Sequence, residues 1–389
     1  MKSRLVIMSS RFPYPLVKGD KLRMFHQIRF LSKEFSICLI CLSSTDISEE
    51  DKSYLSPFCE EIHVFKISKW KSAVNSSLSF RHTHPIQVAY FYSKAVHKKI
   101  QHIVDRFDAH VAYFQLVRTA LYAQDLKIPK VLDYMDAFST IAKRDAQYSS
   151  GIRKIVFNIE AKRLHQFEQK VLDWFDSSTV ISDNDRQELN IPSLEIVTNG
   201  VDVNYFRPSI RKPTYDICFI GNLGYVPNQR AIRFLKDKVL PGLKFKYPKL
   251  RVLIAGARPP VKIKDVANDY IDVMADLSDI RDAYSSAKIF VAPIFTGAGQ
   301  QNKILEAMAM GLPCVASTIV NSSINANQDE ILIGFSASDF ISHSLRLLLN
   351  EDLYNSYKDN ALAFVRSKYS WQVQAEKLSS ILHSHIKES

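Results

Sequence analysis

The sequence lacks an apolar run long enough to cross a bilayer. A long apolar stretch such as Ile289 to Phe295 is far shorter than the roughly 20 residues that a spanning helix needs. The apolar start from Leu5 to Met8 is also too short for a secretory signal peptide, and no segment has low complexity. These absences predict a protein that stays in the cytoplasm.

Cysteine is scarce as well. The 389 residues include five cysteines, and this odd number argues against a disulfide framework. Cys38 and Cys41 have the spacing of a CxxC motif, but they lie in the apolar run from Phe35 to Leu42, which is typical of a buried strand. The period of two in a strand predicts that their side chains point to opposite faces, so a joint redox or metal site is the weaker interpretation.

Positive charge is plentiful. The net charge is +11 and the isoelectric point is near 9.2, which favours an acidic partner such as nucleic acid, an anionic membrane surface or a phosphorylated substrate. Basic residues are spread through the chain without a nucleic-acid recognition motif. We therefore expect no nucleic-acid partner.

One segment, residues 143–163, concentrates basic residues among apolar ones. The basic residues are Lys143, Arg144, Arg153, Lys154, Lys162 and Arg163. Such a mixture suits a helix that lies on an anionic membrane surface, where basic side chains meet lipid headgroups. A solvated helix with one face packed in the core explains the same pattern.

Short apolar runs alternate with helical patterns throughout the sequence. The first half contains the runs Leu5–Met8, Phe35–Leu42, Glu61–Phe65, Ala109–Phe114 and Lys130–Asp133. The second half contains the runs Asp216–Asn222, Leu250–Gly256, Ile271–Met274, Ile289–Pro293 and Pro313–Ala316. This alternation predicts an α/β protein with two doubly wound, Rossmann-like domains, each with a parallel sheet covered on both faces.

The limits of the two domains follow from where the strand pattern restarts. The first domain is predicted over residues 1–206 and the second over residues 214–370, with a linker near residues 204–214. The tail from Asp352 to Lys387 has a helical pattern with a break at Tyr369 to Trp371. We expect the helix 371–389 to return to the first domain.

The segment from Gly297 to Pro313 joins a glycine-rich loop to a predicted helix. Glycines let a backbone approach a ligand closely, and the unpaired N–H groups of a first helical turn favour a phosphate. Lys303 and Glu306 are three residues apart and share a helix face. Lys303 suits a phosphate and Glu306 suits ligand hydroxyls.

This segment resembles the donor-binding signature of the retaining glycosyltransferases of family 4, and in particular a bacterial branch of sugar transferases of polysaccharide biosynthesis. The resemblance implies the GT-B fold, in which two Rossmann-like domains face each other across a cleft. It also implies that Lys303 receives the donor phosphates and Glu306 the ribose. The other donor contacts that it implies here are Gly299, Gln300, Gln301 and Asn302. Ala298 stands where the family usually has a first Glu.

Three further segments carry the same resemblance. The stretch from Arg11 to Arg23 resembles the N-terminal loop of that branch, which implies that Gly19 approaches the donor diphosphate. The residues implied on the acceptor side are Lys18, Asp20, Lys21 and Arg23. The stretch from Val197 to Asp202, followed by Phe206 and Pro208, and the loop from Gly221 to Asn228 match further landmarks. Their implied donor contacts are Asn199, Gly221, Asn222 and Asn228.

Asp133 and Asp136 follow a predicted strand, where ligands bind in a doubly wound sheet. The resemblance makes Asp136 the candidate for contacting the acceptor hydroxyl or the reacting sugar. Two alternatives remain: Asp136 caps a helix that begins near Ala137, or both carboxylates coordinate a metal. The resemblance argues against a metal, because GT-B enzymes generally do not depend on one.

The implied activity is transfer of a sugar, with retention of configuration, from a UDP- or GDP-linked donor to a hydroxyl of a glycan or lipid-linked acceptor in the synthesis of bacterial surface polysaccharide. Asp136, Lys303 and Glu306 would be the catalytic residues, without a metal or other cofactor. The protein would be cytoplasmic or peripheral on the inner face of the plasma membrane. Two alternatives are a nucleotide-sugar epimerase of the same fold and a non-catalytic subunit that binds nucleotide-sugar or membrane.

Overall fold

The structure is a computed structural model that describes residues 2–67, 84–296 and 300–386. The chain divides into two compact units. Unit 1 comprises Met1–Thr198 and Gln374–Ser389, and unit 2 comprises Asn199–Val373. Among the described residues, no helix is long and apolar enough to cross a membrane.

Unit 1 is built on a parallel sheet, which has seven strands within the described residues. The strands are β1 (Ser3–Ser9), β2 (Phe35–Ser43), β3 (Glu61–Lys66), β4 (Val111–Gln115), β5 (Lys130–Asp133), β6 (Ser177–Val180) and β7 (Glu195–Ile196). Their order is β3-β2-β1-β4-β5-β6-β7, so the sheet is doubly wound from β1 in both directions. The strand order reverses between β1 and β4, which is where ligands bind in such sheets.

The helices of the first stretch of unit 1 connect these strands. They are α1 (Gly19–Leu31), α2 (Glu49–Ser53), α3 (Ile86–Phe91), α4 (Lys94–Phe107), α5 (Phe138–Gln147), α6 (Gly151–Lys170) and α7 (Asp183–Leu189), with 3-10 turns at Val117–Ala123 and Val171–Trp174. Each side of the sheet has its own apolar core. Cys38 packs on one side with Val6 and Ile40, whereas Cys41 packs on the other with Ile7 and Leu39. The prediction of opposite faces is confirmed.

Unit 2 has a second parallel sheet, with six strands among the residues described. The strands are β8 (Tyr215–Ile220), β9 (Val252–Gly256), β10 (Ile271–Ala275), β11 (Ala287–Ala292), β12 (Cys314–Ala316) and β13 (Leu332–Ile333). Their order is β10-β9-β8-β11-β12-β13, and all neighbours are parallel. The order reverses between β8 and β11.

Short helices cover the sheet of unit 2, and a longer pair follows them. The helices are α8 (Val226–Phe234), α9 (Leu240–Lys246), α10 (Val261–Lys264), α11 (Ile280–Ser285), α12 (Asn302–Ala309), α13 (Thr318–Ser322), α14 (Ala337–Leu349) and α15 (Glu351–Phe364), with π-helical turns at Leu235–Val239 and Val365–Tyr369. The last helix is α16 (Trp371–Ser384). Its residues Leu378 and Leu382 are fully buried in the core of unit 1.

All ten predicted strands are present. Sequence reasoning missed β7 and β13, which have only two residues each, and β6, whose sequence Ser-Ser-Thr-Val is mostly polar and gives no apolar run. The predicted break in the tail is confirmed: Ser370 is extended, with φ of −67° and ψ of 145°, between Val365–Tyr369 and α16.

The division between the units falls at Thr198 and Asn199, earlier than the predicted linker near residues 204–214. Two interactions assign the intervening residues to unit 2. Val201 forms a parallel bridge with Ser370, and Asn199 forms hydrogen bonds with Gln300.

Candidate functional site

The predicted donor residues of unit 2 gather where its strand order reverses. Gly221 and Asn222 follow β8 directly, and α12 begins at Asn302, after the loop that follows β11. Backbone at this edge is free to face a ligand, because the strands have ended there. Neighbouring strands thus position residues that are some 80 positions apart in the sequence.

Lys303 lies at the centre of this group. Its Nζ donates a hydrogen bond of 2.7 Å to Oδ1 of Asn228 and lies 5.7 Å from the centre of the Phe219 ring. Burial lowers the pKa of Lys303 to about 8, although the nearby Glu306 partly opposes this shift. The ammonium group is therefore held in a poorly solvated position, where an incoming anion would stabilise its charge.

Two glycines shape the turn beside Lys303. A Cβ at Gly221 would lie 3.4 Å from Nζ of Lys303 and 3.0 Å from Nδ2 of Asn228. Gly256 has a φ of +148°, and a Cβ there would lie 1.7 Å from the carbonyl oxygen of Gly221. Only glycine fits at position 256, which lets β9 pack tightly against the turn that follows β8.

Asn228 and Asn222 are both used to hold this turn. Nδ2 of Asn228 donates to the carbonyl oxygen of Asn222 over 2.8 Å, and Oδ1 of Asn222 accepts from the backbone N–H of Gly224 over 3.0 Å. Asn228 thus connects the turn to Lys303 through its two amide atoms. The neutral amide of Asn228 is thus the hydrogen-bond partner that fixes the position of the Lys303 ammonium group.

Glu306 is fixed by a residue that sequence reasoning missed. The hydroxyl of Tyr284, in α11, donates to Oε2 of Glu306 over 2.8 Å, and the Tyr284 side chain is fully buried. Burial raises the pKa of Glu306. Nothing in the local sequence around Tyr284 signals this contact, because α11 and α12 meet only through the fold.

The start of α12 lies at the same edge of the sheet as the turn after β8. Gln301 occupies the cap position and its side chain makes no capping hydrogen bond, while its backbone N–H lies 3.4 Å from Oγ of Ser323. Oδ1 of Asn302 is buried and has no hydrogen-bond partner among the described residues. The backbone N–H groups of Asn302 and Ile304 donate to the carbonyl oxygens of Gln300 and Gln301, so this helix start offers an anion the positive end of its dipole.

Two further predicted donor residues bind each other. Oε1 of Gln300 accepts from the backbone N–H of Asn199, and Nε2 of Gln300 donates to the carbonyl oxygen of Asn199, both over 2.9 Å. This reciprocal pair holds the backbone at Asn199 beside the start of α12. Gly299 and Ala298 lie outside the described residues.

Asp136 lies beyond the end of β5 in unit 1 and is partly buried. Burial raises its pKa to about 6, and the nearby carboxylate of Asp185 adds to this shift. The preceding residue, Met135, has a φ of 59°, a left-handed conformation that is uncommon for a non-glycine residue. Such strain is often found where a side chain is held for function.

The capping alternative for Asp136 is wrong. The cap position of α5 belongs to Ala137, whose side chain cannot accept a hydrogen bond. Instead, Oε1 of Glu168 accepts from the backbone N–H of Ser139 over 3.0 Å, and the carboxylate of Asp185 accepts from the backbone of Ala137. Because two other carboxylates serve the start of α5, that of Asp136 is not needed there.

Both carboxylate oxygens of Asp133, the other acidic residue of this segment, have donors within the protein. Oδ2 accepts from Arg23 over 2.7 Å and from Tyr113 over 2.9 Å, and Oδ1 accepts from Thr179 over 3.0 Å. Asp133 is fully buried. Its carboxylate therefore holds α1, β4, β5 and β6 together.

The structure corrects the prediction that Arg23 lines the acceptor side. The Arg23 side chain is fully buried. Besides Asp133, its guanidinium donates to the carbonyl oxygens of Thr198 and Val197 over 2.9 and 2.8 Å. Arg23 thus joins α1 to β5 and to the segment after β7, and cannot reach a substrate.

The other predicted acceptor residues lie at the start of α1. Asp20 pairs with Arg11 over 2.5 Å, and Nζ of Lys21 donates to the carbonyl oxygen of Tyr14 over 2.9 Å. Lys18 is exposed at the cap position. Gly19 is the first residue of α1, and a Cβ there would meet no atom within 4 Å.

The basic segment 143–163 spans the end of α5 and most of α6, which pack against each other. The side chains of Tyr148, Ile152 and Ile155 are 85%, 78% and 59% exposed. Leu164 and Phe167, farther along α6, are buried. Only the C-terminal half of α6 therefore packs one face in the core, as the alternative interpretation predicts. Its N-terminal half presents apolar and basic side chains to solvent.

Residues 214–350 match the family model described as "Glycosyl transferases group 1". A protein of Klebsiella pneumoniae, described as an uncharacterised 44.6 kDa protein in the cps region, is 22% identical over 388 residues, which cover 94% of this chain and 96% of that protein. The matched family segment contains every donor-site contact described above except the Asn199 pair.

Solved structures similar to this chain cover nearly all of it. A glycosyltransferase from Rickettsia africae ESF-5 has a TM-score of 0.68 at 13% identity over 100% of both chains. Anabaena Alr3699/HepE in complex with UDP and glucose has a TM-score of 0.64 at 11% identity over 98% of this chain and 100% of that one. The chain has the α/β GT-B fold, with two Rossmann-like domains, and the comparisons support a glycosyltransferase.

Proposed function

We propose that this protein is a retaining glycosyltransferase of family 4. It transfers a sugar from a UDP- or GDP-linked donor to a hydroxyl of a glycan or lipid-linked acceptor, in the synthesis of bacterial surface polysaccharide. The observation that carries this proposal is the group of Lys303, Asn228 and Gly221 at the start of α12. The similarity to a protein in a cps region supports the assignment to polysaccharide synthesis.

The donor site matches the charge change of the reaction. Cleavage of the bond between sugar and phosphate leaves a nucleoside diphosphate with an additional negative charge. Asn228 fixes the ammonium group of Lys303 in advance, so this group stabilises the charge without reorganisation, and the positive end of the α12 dipole adds to its effect. Positive charge from a metal is then unnecessary at the leaving group.

Glu306 binds the ribose of the donor in this proposal. Its Oε2 already accepts from Tyr284, and the second oxygen can accept from a ribose hydroxyl. Fixing the ribose places the diphosphate relative to Lys303, which lies one helical turn before Glu306.

Asp136 contacts the acceptor hydroxyl or the reacting sugar. Its ionised form accepts a hydrogen bond from a hydroxyl and stabilises positive charge on a sugar ring, and its pKa near 6 places the ionised form above that pH. The departing phosphate can take the proton of the acceptor hydroxyl. That route keeps donor and acceptor on one face of the sugar and accounts for retention.

We also propose that residues 143–163 bind an anionic membrane surface, which makes the protein peripheral on the inner face of the plasma membrane. Ile152 and Ile155 are exposed beside the exposed Arg153 and Lys154. Apolar side chains would enter the interface and the basic ones would meet anionic headgroups. This location suits a lipid-linked acceptor.

Thermal stability of the full chain with UDP, GDP and their sugars tests the donor assignment, because a ligand that binds only the folded state raises the unfolding temperature. We expect one nucleotide series to raise it in the wild type and in Lys238→Gln, an exposed control in unit 2, but not in Lys303→Gln. Stabilisation should persist in EDTA. Failure of every nucleotide would contradict the proposal, and turnover of the donor without any acceptor would favour an epimerase.

A further inference from the structure

Unit 1 contains a cavity of about 360 Å³ beyond the carboxyl ends of β1 and β2. We call it the lysine pocket. Among the residues that line it are Ser10, Lys18, Lys21, Ser43, Thr45 and Phe91. The cavity lies beside the point where the strand order of unit 1 reverses, and its lining combines cations, hydroxyl groups and an aromatic wall.

The pocket carries the charges of Lys18 and Lys21, which form no ion pair with any described residue. Arg11 also lines it, but its guanidinium is paired with Asp20. The Lys18 side chain forms no ion pair with any described residue, and Nζ of Lys21 donates to an uncharged carbonyl oxygen, that of Tyr14. Asp20 and Asp51 are the carboxylates near Lys21, and neither forms an ion pair with it.

A buried hydroxyl group in the pocket also lacks a partner. Ser10 is only 1% exposed, and within the part of the chain that is described its Oγ has no hydrogen-bond partner. An unsatisfied buried hydroxyl costs free energy unless a ligand or water completes it. Ser10 lines the cavity together with Lys18 and Lys21, and its hydroxyl can donate a hydrogen bond to an anion bound there.

We propose that the lysine pocket binds a phosphate or diphosphate group of the acceptor. Phosphate oxygens accept charge-assisted hydrogen bonds from ammonium groups and ordinary ones from hydroxyls, so one such group would satisfy Lys18, Lys21 and Ser10 together. Phe91 gives the pocket an apolar wall against which the remainder of the acceptor can pack. The volume holds a diphosphate with part of its substituent.

This inference rests on the proposed function, because it assigns the acceptor to unit 1. It narrows the acceptor from any hydroxyl-bearing glycan to a phosphorylated one. The phosphate can come from a lipid diphosphate or from a soluble sugar phosphate. A membrane-bound lipid diphosphate is the source that agrees with the exposed apolar and basic residues of α6.

The test measures binding by calorimetry on the full chain carrying Lys303→Gln, which removes the cation of the donor site. The ligands are inorganic pyrophosphate, farnesyl diphosphate and farnesol. In this background Lys18→Gln/Lys21→Gln is compared with Lys98→Gln/Lys99→Gln, a control that removes two exposed lysines from α4 of the same unit. Lys18→Arg/Lys21→Arg tests whether charge alone restores binding.

We expect Lys18→Gln/Lys21→Gln to weaken diphosphate binding at least about tenfold, since each charge-assisted hydrogen bond contributes that much or more. The control should stay within about twofold, and the arginine variant should recover most of the affinity. Farnesyl diphosphate binding more tightly than pyrophosphate supports a lipid source, and equal binding of both supports a soluble one.

Two results would overturn the inference. One is equal diphosphate binding in Lys18→Gln/Lys21→Gln and in the control, with unchanged unfolding temperatures. The other is farnesol binding as tightly as farnesyl diphosphate, because recognition would then be apolar. If UDP or GDP still stabilises the wild type, the donor assignment remains intact even when either result is found. Failure of the lysine pocket can therefore be distinguished from failure of the proposed function.

Discussion

Lys303 and Asn228 form a hydrogen bond of 2.7 Å between an ammonium group and a side-chain amide. A carboxylate in place of the amide would neutralise the lysine and compete with a ligand. The neutral Asn228 fixes the position of the ammonium group and leaves its charge for another partner. An anion-binding site needs this combination of a fixed position and an unneutralised charge.

Donor binding should weaken at alkaline pH. The pKa of Lys303 is lowered to about 8 by burial, so the free protein loses this charge above pH 8, whereas a bound diphosphate favours the charged form. The donor dissociation constant should therefore rise by about fivefold from pH 8 to pH 9, and its slope should approach tenfold per pH unit above that. Titration calorimetry between pH 7 and about pH 9.5 measures this effect. Lys303→Gln should bind weakly at every pH, and an equally steep rise in that variant would refute the assignment.

The local sequence predicted what depends on neighbouring residues and missed what depends on the fold. Strand runs, the helix break at Ser370 and the shared face of Lys303 and Glu306 all follow from short patterns. The contact between Tyr284 and Glu306 does not, because α11 and α12 are separate in sequence. For Arg23 the local sequence predicted a role that the fold excludes. Its motif resembles an acceptor loop, but its side chain is buried in a pair with Asp133, 110 residues away.

Tyr284→Phe should weaken donor binding while the fold is kept. The variant removes the hydroxyl that orients Glu306 but retains the buried ring, and the loss of one hydrogen bond to a carboxylate corresponds to an increase of about tenfold in the donor KM. The acceptor KM should not change. Steady-state kinetics with varied donor measures this difference. Tyr354→Phe, another tyrosine of unit 2, is the control, and a matching loss there would show a general packing effect instead.

Activity should fall below about pH 6 because Asp136 becomes protonated. Burial raises the pKa of this carboxyl group to about 6, so its ionised form predominates only above that pH. Asp136→Asn should lower kcat by about a hundredfold or more and remove the acid limb of the pH–rate profile. The pKa of Asp136 is higher in the folded than in the unfolded state, so the stability of the wild type falls as pH rises from about 4 to about 6. Asp136→Asn lacks this loss and should be more stable than the wild type at neutral pH. Asp145→Asn, on the exposed side of α5, should keep the acid limb.

Breaking the pair of Arg23 and Asp133 should destabilise unit 1 strongly. Both side chains are fully buried, so removal of one leaves the other as an unpaired buried charge, which costs about 3–5 kcal/mol. Urea unfolding of Arg23→Met should show this loss. The control is Arg4→Met, whose pair with Asp108 is 39% and 73% exposed and should contribute at most about 1 kcal/mol. Equal stability of the two variants would contradict the structural role of Arg23.

Binding to anionic vesicles should depend on the exposed start of α6. Ile152→Ser/Ile155→Ser removes two exposed apolar side chains, and Arg153→Gln/Lys154→Gln removes two neighbouring charges. Each double variant should reduce sedimentation with phosphatidylglycerol vesicles about tenfold or more, because each charge near such a surface contributes about 1 kcal/mol and apolar insertion adds to it. Phosphatidylcholine vesicles should bind little of either variant or of the wild type. Phe245→Ser is the matched control, since Phe245 is 86% exposed between two lysines of unit 2. A loss of binding in this variant as large as in the α6 variants would show that general surface hydrophobicity holds the protein on vesicles.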